Sequence, residues 1–292
     1  MKTSVREARA MGSPLRLTLP GPCPDAVDAG WEIVRGVFVR AERDLTRFAA
    51  DSPLSLLNRS AGTYQVVEVP PMLARALAAA WRAFRTSRGR FDPRIIGALE
   101  AAGERAGVPL PPSPATLAPH DRWLVLDSRR GQARITAPID LGGIGKGLAL
   151  RWASSALRDA GHARFLLSAG GDVVAAGHGP LDRPWIVGIE DPANDGAPLT
   201  TLELTDAAVA TSSIAVRSWR DPGGQLRHHL IDPATLAPAE PTCSAVTVID
   251  RDPVWAEVRS KVAFLAGPRI AGSLRGRRAW WVSRSGQLHR AA

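Results

Sequence analysis

The sequence is poor in cysteine and has no long apolar run. Its 292 residues include only two cysteines, Cys23 and Cys243, too few and too isolated for a disulfide framework or a cysteine zinc site. We therefore expect two ordinary thiols. No uncharged apolar stretch approaches the roughly 18 residues that indicate a membrane-spanning helix. The sequence thus predicts no transmembrane segment.

The first residues also lack the apolar core of a secretory signal peptide. A charged or polar side chain recurs every few positions over residues 1–17. Signal peptides need an uninterrupted apolar region there. We therefore expect no signal peptide and a cytoplasmic protein.

Lysine is scarce although the chain is basic. The formal net charge is +9, but only Lys2, Lys146 and Lys261 are lysines among 37 basic residues. No dense basic run is interleaved with aromatic residues, so we expect no nucleic-acid partner. Where arginine is so favoured, a retained lysine suggests a need for a compact ammonium that a forked guanidinium cannot replace. Lys146 and Lys261 are the candidates, since Lys2 lies at the chain end.

The pattern of apolar residues predicts both helices and strands. Four segments have helical spacing or composition, whereas 51–62 is turn-rich and 107–120 is a proline-rich surface loop. The predicted helices are 26–49, 70–87, 145–161 and 253–267. Alternating segments around and after the third helix predict strands, and a hairpin closes the chain. Because helices and strands do not alternate strictly, we predict an α+β fold and not a doubly wound sheet.

A glycine-rich stretch at 139–150, IDLGGIGKGLAL, has the composition of a phosphate-binding loop. It is not a Walker loop, because Asp140 stands where the first glycine is required and Gly147 where Ser or Thr is required. The glycine spacing also fails the dinucleotide-binding fingerprint. Two interpretations remain: an anion site built from backbone N–H groups, a helix N-terminus and Lys146, or a tight strand-to-helix turn with a solvated lysine.

Six further motifs accompany this loop in a fixed order. They are MGS (11–13), FDP (91–93), SAGGDVVAAG (168–177), ATSS (210–213), HHLIDP (228–233) and AEVRSKVAFLAG (256–267). None is specific alone, but together with the loop they resemble the ApbE family of flavin transferases across nearly the whole chain.

This resemblance implies an activity and an architecture. Members are FAD:protein FMN transferases, which cleave FAD at its diphosphate, attach FMN by a phosphoester to a Thr or Ser of an acceptor protein, and release AMP. The implied fold is one domain over 1–292, with mainly antiparallel sheets packed on helices and an FAD cleft between two lobes. An FAD-binding protein that sequesters FAD, or hydrolyses it to FMN and AMP, is the alternative.

The resemblance also assigns site residues. His229 and Lys146 match catalytic positions, and the histidine suits proton transfer because its ordinary pKa is about 6.5. His228 should point to the opposite face. The positions that match FAD contacts are Met11, Phe48, Arg90, Phe91, Asp92, Asp140, Lys146, Thr211 and Ser212. Several of these assignments have a competing interpretation. Phe48 could pack in the core, Phe91 and Asp92 could form a simple turn, and Thr211 and Ser212 could satisfy backbone hydrogen bonds.

The metal motif of the family is altered. The resemblance places Mg²⁺ at Gly143 and at the Ala-Asp-x-x-x-Thr helix. In this chain Glu257 replaces the aspartate of that motif and Lys261 replaces the threonine. Glu257 can still bind a hard cation, but Lys261 cannot. Either these residues form a simple i,i+4 pair, or the Lys261 ammonium replaces the metal. Two turn glycines of the family pattern are also replaced, by Ser213 and Leu236.

Overall fold

A computed structural model describes residues 3–104, 107–191, 198–215, 217–221 and 223–291. The chain forms two compact units. The first comprises Met1–Arg40, Lys146–Ala215 and Pro241–Ala292, and the second comprises Ala41–Gly145 and Val216–Glu240. Lys2 lies outside the described residues.

Both secondary-structure types are well represented. The α-helices of the described residues are α1 (Pro24–Leu45), α2 (Pro53–Arg59), α3 (Pro71–Thr86), α4 (Ile96–Ala101), α5 (Gly145–Asp159), α6 (Pro253–Phe264) and α7 (Ile270–Ser273). The strands are β1 (Thr3–Ala10), β2 (Ser13–Pro20), β3 (Val67–Glu68), β4 (Leu124–Asp127), β5 (Gln132–Ile135), β6 (Phe165–Ala169), β7 (Asp172–Ala176), β8 (Trp185–Ile189), β9 (Thr200–Leu204), β10 (Ala207–Ser213), β11 (Ser218–Arg220), β12 (Leu226–His228), β13 (Ile231–Asp232), β14 (Ala237–Pro238), β15 (Cys243–Asp250), β16 (Ala279–Ser283) and β17 (Leu288–Arg290).

An eight-stranded antiparallel sheet organises the first unit. Its strand order is β1-β2-β6-β7-β10-β15-β16-β17. The five residues of β7 are all buried, and α6 packs against β7, β10 and β15. A strand buried on both faces reads as a continuous apolar run, which Val173–Ala176 provides. The sheet and α6 therefore fix the positions of Asp172, Thr211 and Glu257.

The first two strands form a hairpin with a two-residue turn. Ala10 pairs with Ser13, so Met11 and Gly12 are the turn residues, with φ of 50° and 71°. Positive φ at both positions is what a type I′ turn requires, and glycine meets it without steric cost. Met11 meets it at a cost, because its Cβ crowds the backbone in the left-handed region. The MGS motif is thus a strained hairpin turn.

The second unit is built on a smaller sheet. Strands β3, β5 and β4 pair in that order, all antiparallel, and two short hairpins (β11-β12 and β13-β14) belong to the same unit. Its aromatic core contains Trp81, Phe84 and Trp123, with Trp123 packed edge-on against the other two rings. The predicted α+β class with mainly antiparallel sheets is confirmed.

All four predicted helices are present, with shifted ends. α3 begins and ends within one residue of its prediction, and α5 begins at the predicted Gly145, whereas α1 ends at Leu45, four residues before the prediction. The described part of 107–120 contains no helix or strand, as predicted. The closing hairpin is also confirmed, as β16 and β17.

The prediction of a loop over 51–62 was wrong. Residues Pro53–Arg59 form α2, because the Ser52 side chain accepts a hydrogen bond from the Ser55 N–H at 3.0 Å and Pro53 occupies the first turn. Leu54 and Leu57 then bury one face of this short helix. Seven residues are too few for the apolar period to be visible.

Other expectations have mixed outcomes. Cys23 and Cys243 are free thiols, and burial raises the pKa of Cys243 to about 11. No helix among the described residues has the length and apolarity to cross a bilayer. The single domain over 1–292, its cleft and the cytoplasmic location stay predictions.

Candidate functional site

Lys146 is the centre of a buried ion cluster in the first unit. It is the second residue of α5, and its Nζ donates to Asp172 Oδ2 and, at 3.1 Å, to Glu257 Oε1. Asp172 opens β7 directly after the Gly170-Gly171 turn. Glu257 lies on α6. Three segments far apart in the sequence thus converge on one ammonium; we call Lys146, Asp172 and Glu257 the lysine cluster.

Gly147 allows the lysine cluster to close. Its backbone N–H donates to Glu257 Oε2 at 2.8 Å. A Cβ at this position would lie 2.8 Å from the Pro253 carbonyl oxygen and from Val254 Cα, so a side chain would push α5 away from α6. The Lys-Gly pair of the motif therefore has two distinct functions: the lysine carries the charge, and the glycine lets its helix approach the acid.

Lys146 is the most exposed side chain of the lysine cluster. The Lys146 side chain is 25% exposed, whereas the side chains of Asp172 and Glu257 are each 3% exposed. Burial lowers the pKa of Lys146, but the charges of Asp172 and Glu257 outweigh it and raise that pKa above its ordinary value. Lys146 is thus a permanent cation at neutral pH, held by acids that water scarcely reaches.

Asp172 experiences opposing influences. Burial, together with the Glu257 charge, raises the pKa of Asp172 above its ordinary value, although Lys146 and the Lys261 charge oppose this rise. The Thr211 N–H donates to Asp172 Oδ1 at 3.2 Å, a contact that also opposes the rise by stabilising the carboxylate form. Lys261 lies one helical turn after Glu257, so two of the three lysines act on the same acid.

The two side chains of the Thr-Ser pair in β10 differ in burial. Thr211 is exposed, and its hydroxyl lies 2.9 Å from the Thr247 hydroxyl. Ser212 is buried, and its hydroxyl lies 2.9 Å from that of Ser260 on α6. Thr211 is therefore placed next to the lysine cluster, whereas Ser212 joins the sheet to the helix.

The hairpin turn of Met11 borders the lysine cluster. A Cβ on Gly170 would lie 2.7 Å from Ser13 Oγ and 3.4 Å from Lys146 Cδ. The same glycine donates its N–H to the Pro14 carbonyl at 2.9 Å. The first unit therefore brings three predicted positions, Lys146, Thr211 and Glu257, into one neighbourhood, and Ser13 of the MGS motif lies close to it.

In the second unit, Asp140 belongs to a different cluster. Its Oδ2 accepts from Arg47 Nε at 3.0 Å, and its Oδ1 accepts from the Gly142 N–H at 2.7 Å. Arg47 also donates to Glu100 at 3.0 Å. We call Arg47, Asp140 and Glu100 the arginine cluster. The Arg47 guanidinium lies over the Phe48 ring, 4.4 Å from its centroid.

The Phe-Asp-Pro motif is largely internal. Phe91 and Asp92 are buried, and Asp92 accepts from Arg94 with both carboxylate oxygens at 2.7 and 3.0 Å. Arg90 is half-buried at the end of the same turn. The observed contacts of Asp92 thus stabilise the fold around Arg94.

His229 is oriented by a backbone carbonyl. Its Nδ1 lies 3.1 Å from the Arg217 carbonyl oxygen. A carbonyl only accepts, so Nδ1 must carry the proton, and Nε2 is the basic nitrogen of the neutral ring. His228 is buried and bonds the Ala239 carbonyl at 3.0 Å, and burial lowers its pKa despite that bond. The predicted division between the two histidines agrees with their burial.

Arg217 itself has a charged partner, although its side chain is 51% exposed. It pairs with Glu104, and burial together with the Arg47 charge lowers the pKa of Arg217. One oxygen of Glu104, Oε2, is buried and has no hydrogen-bond partner among the residues that the structure describes. This pairing fixes the segment that carries the carbonyl beside His229.

The residues do not fit a magnesium site at Glu257. One carboxylate oxygen accepts from the Lys146 ammonium and the other from the Gly147 N–H. Magnesium needs near-octahedral oxygen ligands, and an ammonium in contact with the same carboxylate repels a dication. Within the described ranges, no group of three or more His, Cys, Asp or Glu is arranged to hold a metal. Gly143 lies in the turn before α5, in the second unit.

A cavity of about 330 Å³ lies elsewhere in the second unit. It is lined by Ile96, Glu100 and residues of the proline-rich loop from Gly107 to Ser113. Of the predicted FAD contacts among the described residues, none lines this cavity. It touches the arginine cluster only through Glu100.

Sequence reasoning missed several residues of these clusters. Asp172 had a signal, since it ends the Gly-Gly-Asp of a quoted motif, but it was not named as a site residue. Arg47, Glu100 and Arg217 had none, because 93 residues separate Arg47 from Asp140 and no local pattern records such a pair.

Comparisons with known proteins agree with one another. A family model described as the ApbE family matches residues 11–278. An FAD:protein FMN transferase of Rhodobacter capsulatus is 31% identical over 240 residues, covering 77% of this chain and 45% of that protein, so the chain spans less than half of that relative. An FAD:protein FMN transferase of Haemophilus influenzae is 23% identical over 250 residues, covering 81% of this chain and 72% of that protein.

Solved structures share the fold. The crystal structure of the ApbE protein of Thermotoga maritima has a TM-score of 0.83 at 23% identity, covering 99% of this chain and 97% of that one. The apo form of the flavinyl transferase ApbE of Pseudomonas stutzeri has a TM-score of 0.79 at 21% identity, covering 99% of this chain and 95% of that one.

Proposed function

The chain belongs to the ApbE family, and on that premise we propose that it is an FAD:protein FMN transferase. It cleaves the diphosphate of FAD, transfers FMN to a Thr or Ser hydroxyl of an acceptor protein, and releases AMP. The relatives bear this transferase name, and nothing in the comparisons favours sequestration or hydrolysis of FAD.

The observation that carries the proposal is the partly exposed Lys146 side chain, whose ammonium is held by two buried carboxylates. A diphosphate oxygen needs a charge-assisted donor, and the described acidic contacts of Lys146 use two of its three N–H donors. The first turn of α5 adds the positive end of a helix dipole at the same place. Two buried carboxylates hold the ammonium in position, so little reorganisation is needed when the anion arrives.

His229 accepts the proton of the transfer. The acceptor hydroxyl oxygen forms a bond to the FMN phosphorus, the bond from that phosphorus to the bridging oxygen breaks, and AMP leaves with the electron pair. The hydroxyl proton moves to His229 Nε2, which the Nδ1–H bond to the Arg217 carbonyl keeps basic. Lys146 balances negative charge that develops on the diphosphate.

The remaining predicted FAD contacts divide into two groups. Met11, Phe48, Arg90, Asp140 and Thr211 keep some exposure and are proposed as contacts. Phe91, Asp92 and Ser212 are buried in internal contacts, and we propose that they support the fold instead. No magnesium step is part of this mechanism.

The acceptor is a protein with an exposed Thr or Ser. Incubation of the chain with FAD and a peptide of the Asp-Gly-x-Ser/Thr-Gly-Ala type should release AMP and give a peptide whose mass has increased by one FMN. AMP and free FMN without a modified peptide would contradict the transferase assignment.

His229→Ala tests the proton acceptor. We expect turnover to fall by roughly 10²–10⁴-fold with FAD affinity nearly unchanged, the usual range for loss of a general base. His178→Ala is the matched control, since His178 is a half-exposed histidine of the first unit. Equal turnover in His229→Ala and the parent protein would remove His229 from the mechanism.

A further inference from the structure

The lysine cluster disagrees with the metal dependence that its family motif implies. Both oxygens of Glu257 are engaged, by the Lys146 ammonium and by the Gly147 N–H. The second position of the metal motif is Lys261, a donor-only side chain. Two independent features, an occupied acid and a substituted ligand, thus oppose a divalent cation here.

Lys261 is positioned to contribute positive charge instead. It follows Glu257 by four residues on α6, and side chains at that spacing are neighbours on a helix. Its charge also acts on Asp172, where it opposes the rise in pKa that burial causes. α6 packs against β7, which begins with Asp172. The helix therefore directs Lys261 to the same acids that hold Lys146.

A formal charge count shows what this adds. With both acids counted as ionised, Lys146, Asp172 and Glu257 together carry one formal negative charge, which would disfavour an incoming diphosphate. Lys261 brings the group to neutrality. In a chain where arginine supplies nearly every other cation, both lysines described by the structure serve this one group.

We infer that Lys261 is a built-in counter-charge, and that this chain binds the FAD diphosphate through Lys146 and Lys261 without a divalent cation. This inference rests on the proposed function, because it takes FAD as the ligand.

Calorimetric titration of FAD into the full chain, first with EDTA and then with Mg²⁺, tests the inference. We expect the dissociation constants to differ by less than about threefold. Binding that requires Mg²⁺ would overturn the inference and leave the proposed function intact. No FAD binding in either buffer would overturn the proposed function itself.

Variants of Lys261 separate charge from structure. Lys261→Gln should weaken FAD binding in EDTA by roughly 10- to 100-fold, as expected for loss of a charge-assisted contact. Lys261→Arg keeps the charge and should bind FAD more tightly than Lys261→Gln does. Arg259→Gln, which removes the same charge from the same helix at a site paired with Asp250, should bind like the parent protein. Equal losses in Lys261→Gln and Arg259→Gln would overturn the inference.

Restoring the family residues provides the complementary test. The double variant Glu257→Asp and Lys261→Thr should bind FAD poorly in EDTA and regain affinity with Mg²⁺, because the vacated charge can then be supplied by the ion. Thermal unfolding of each variant confirms that it is folded. Unchanged affinity of the folded double variant in EDTA would contradict a role for Lys261.

Discussion

The lysine cluster and the arginine cluster have the same formal composition but opposite exposure. In each, one basic side chain lies between two carboxylates. The Arg47 side chain is 2% exposed, whereas its partners Asp140 and Glu100 are 17% and 34% exposed. In the lysine cluster the acids are buried and the base is partly exposed. The arginine cluster therefore offers hydrogen-bond acceptors to a ligand, whereas the lysine cluster offers a cation.

This difference suggests different ligand groups for the two clusters. A diphosphate suits the lysine cluster, because a compact ammonium on buried acids presents a fixed positive charge. Asp140 suits a donor group, such as a hydroxyl or ring N–H, because its acceptor oxygens lie on a side chain that is 17% exposed. Residue types alone do not distinguish the two clusters; burial does.

The largest expected effect is on stability when Lys146 is removed. Lys146→Ala leaves two nearly inaccessible carboxylates facing each other, and loss of one partner of a buried pair costs about 3–5 kcal/mol. Guanidinium unfolding followed by circular dichroism measures this loss. A cost below about 1 kcal/mol would show that water already reaches Asp172 and Glu257.

The next effect concerns ligand affinity. Lys146→Ala, at a temperature where it is folded, should bind FAD more weakly by about 1.5–3 kcal/mol, because a charge-assisted phosphate contact is lost. Arg158→Ala, which removes a charge from the last turn of the same helix, is the control. If both variants retain the parent affinity, the diphosphate is bound elsewhere.

Removal of Arg47 should cost less stability than removal of Lys146. Its acids are partly solvated already, so Arg47→Ala should lower the free energy of unfolding by about 1–3 kcal/mol, the cost of leaving hydrogen-bonding groups unpaired. The same denaturation experiment applies. A larger loss than that of Lys146→Ala would reverse the comparison between the clusters.

The smallest expected effect is the loss of stability when the Phe48 ring is removed. Its ring is 43% exposed beneath the Arg47 guanidinium, and an exposed cation–π contact contributes about 0.5–1 kcal/mol. Phe48→Ala should therefore reduce stability by that amount. Leu56→Ala, at a residue of similar exposure, is a suitable control. Reduced FAD affinity beyond this loss would support the predicted stacking on FAD.

Local patterns predicted the long elements and not the contacts between them. α3 and α5 were recognisable because sixteen and fifteen residues span several turns. α2 was not, because its seven residues depend on a serine cap and buried leucines. The family motifs placed Lys146 and Glu257, but only the fold shows that they touch, 111 positions apart.

Backbone strain was likewise hidden from the sequence. Leu236 replaces a glycine of the family pattern and keeps a positive φ of 53°, a conformation that costs a side-chain-bearing residue about 1–2 kcal/mol. The substitution was visible, but the retained turn was not. A sequence shows which residue has changed, whereas the fold shows whether the backbone conformation at that position has changed with it.

The most direct test of the central claim is a crystal structure of the chain with FAD bound in the presence of EDTA. We expect a diphosphate oxygen within about 2.7–3.2 Å of Lys146 Nζ, with Asp172 and Glu257 still hydrogen-bonded to the same ammonium. A diphosphate held by other residues, with Lys146 contacting only its two acids, would contradict that claim.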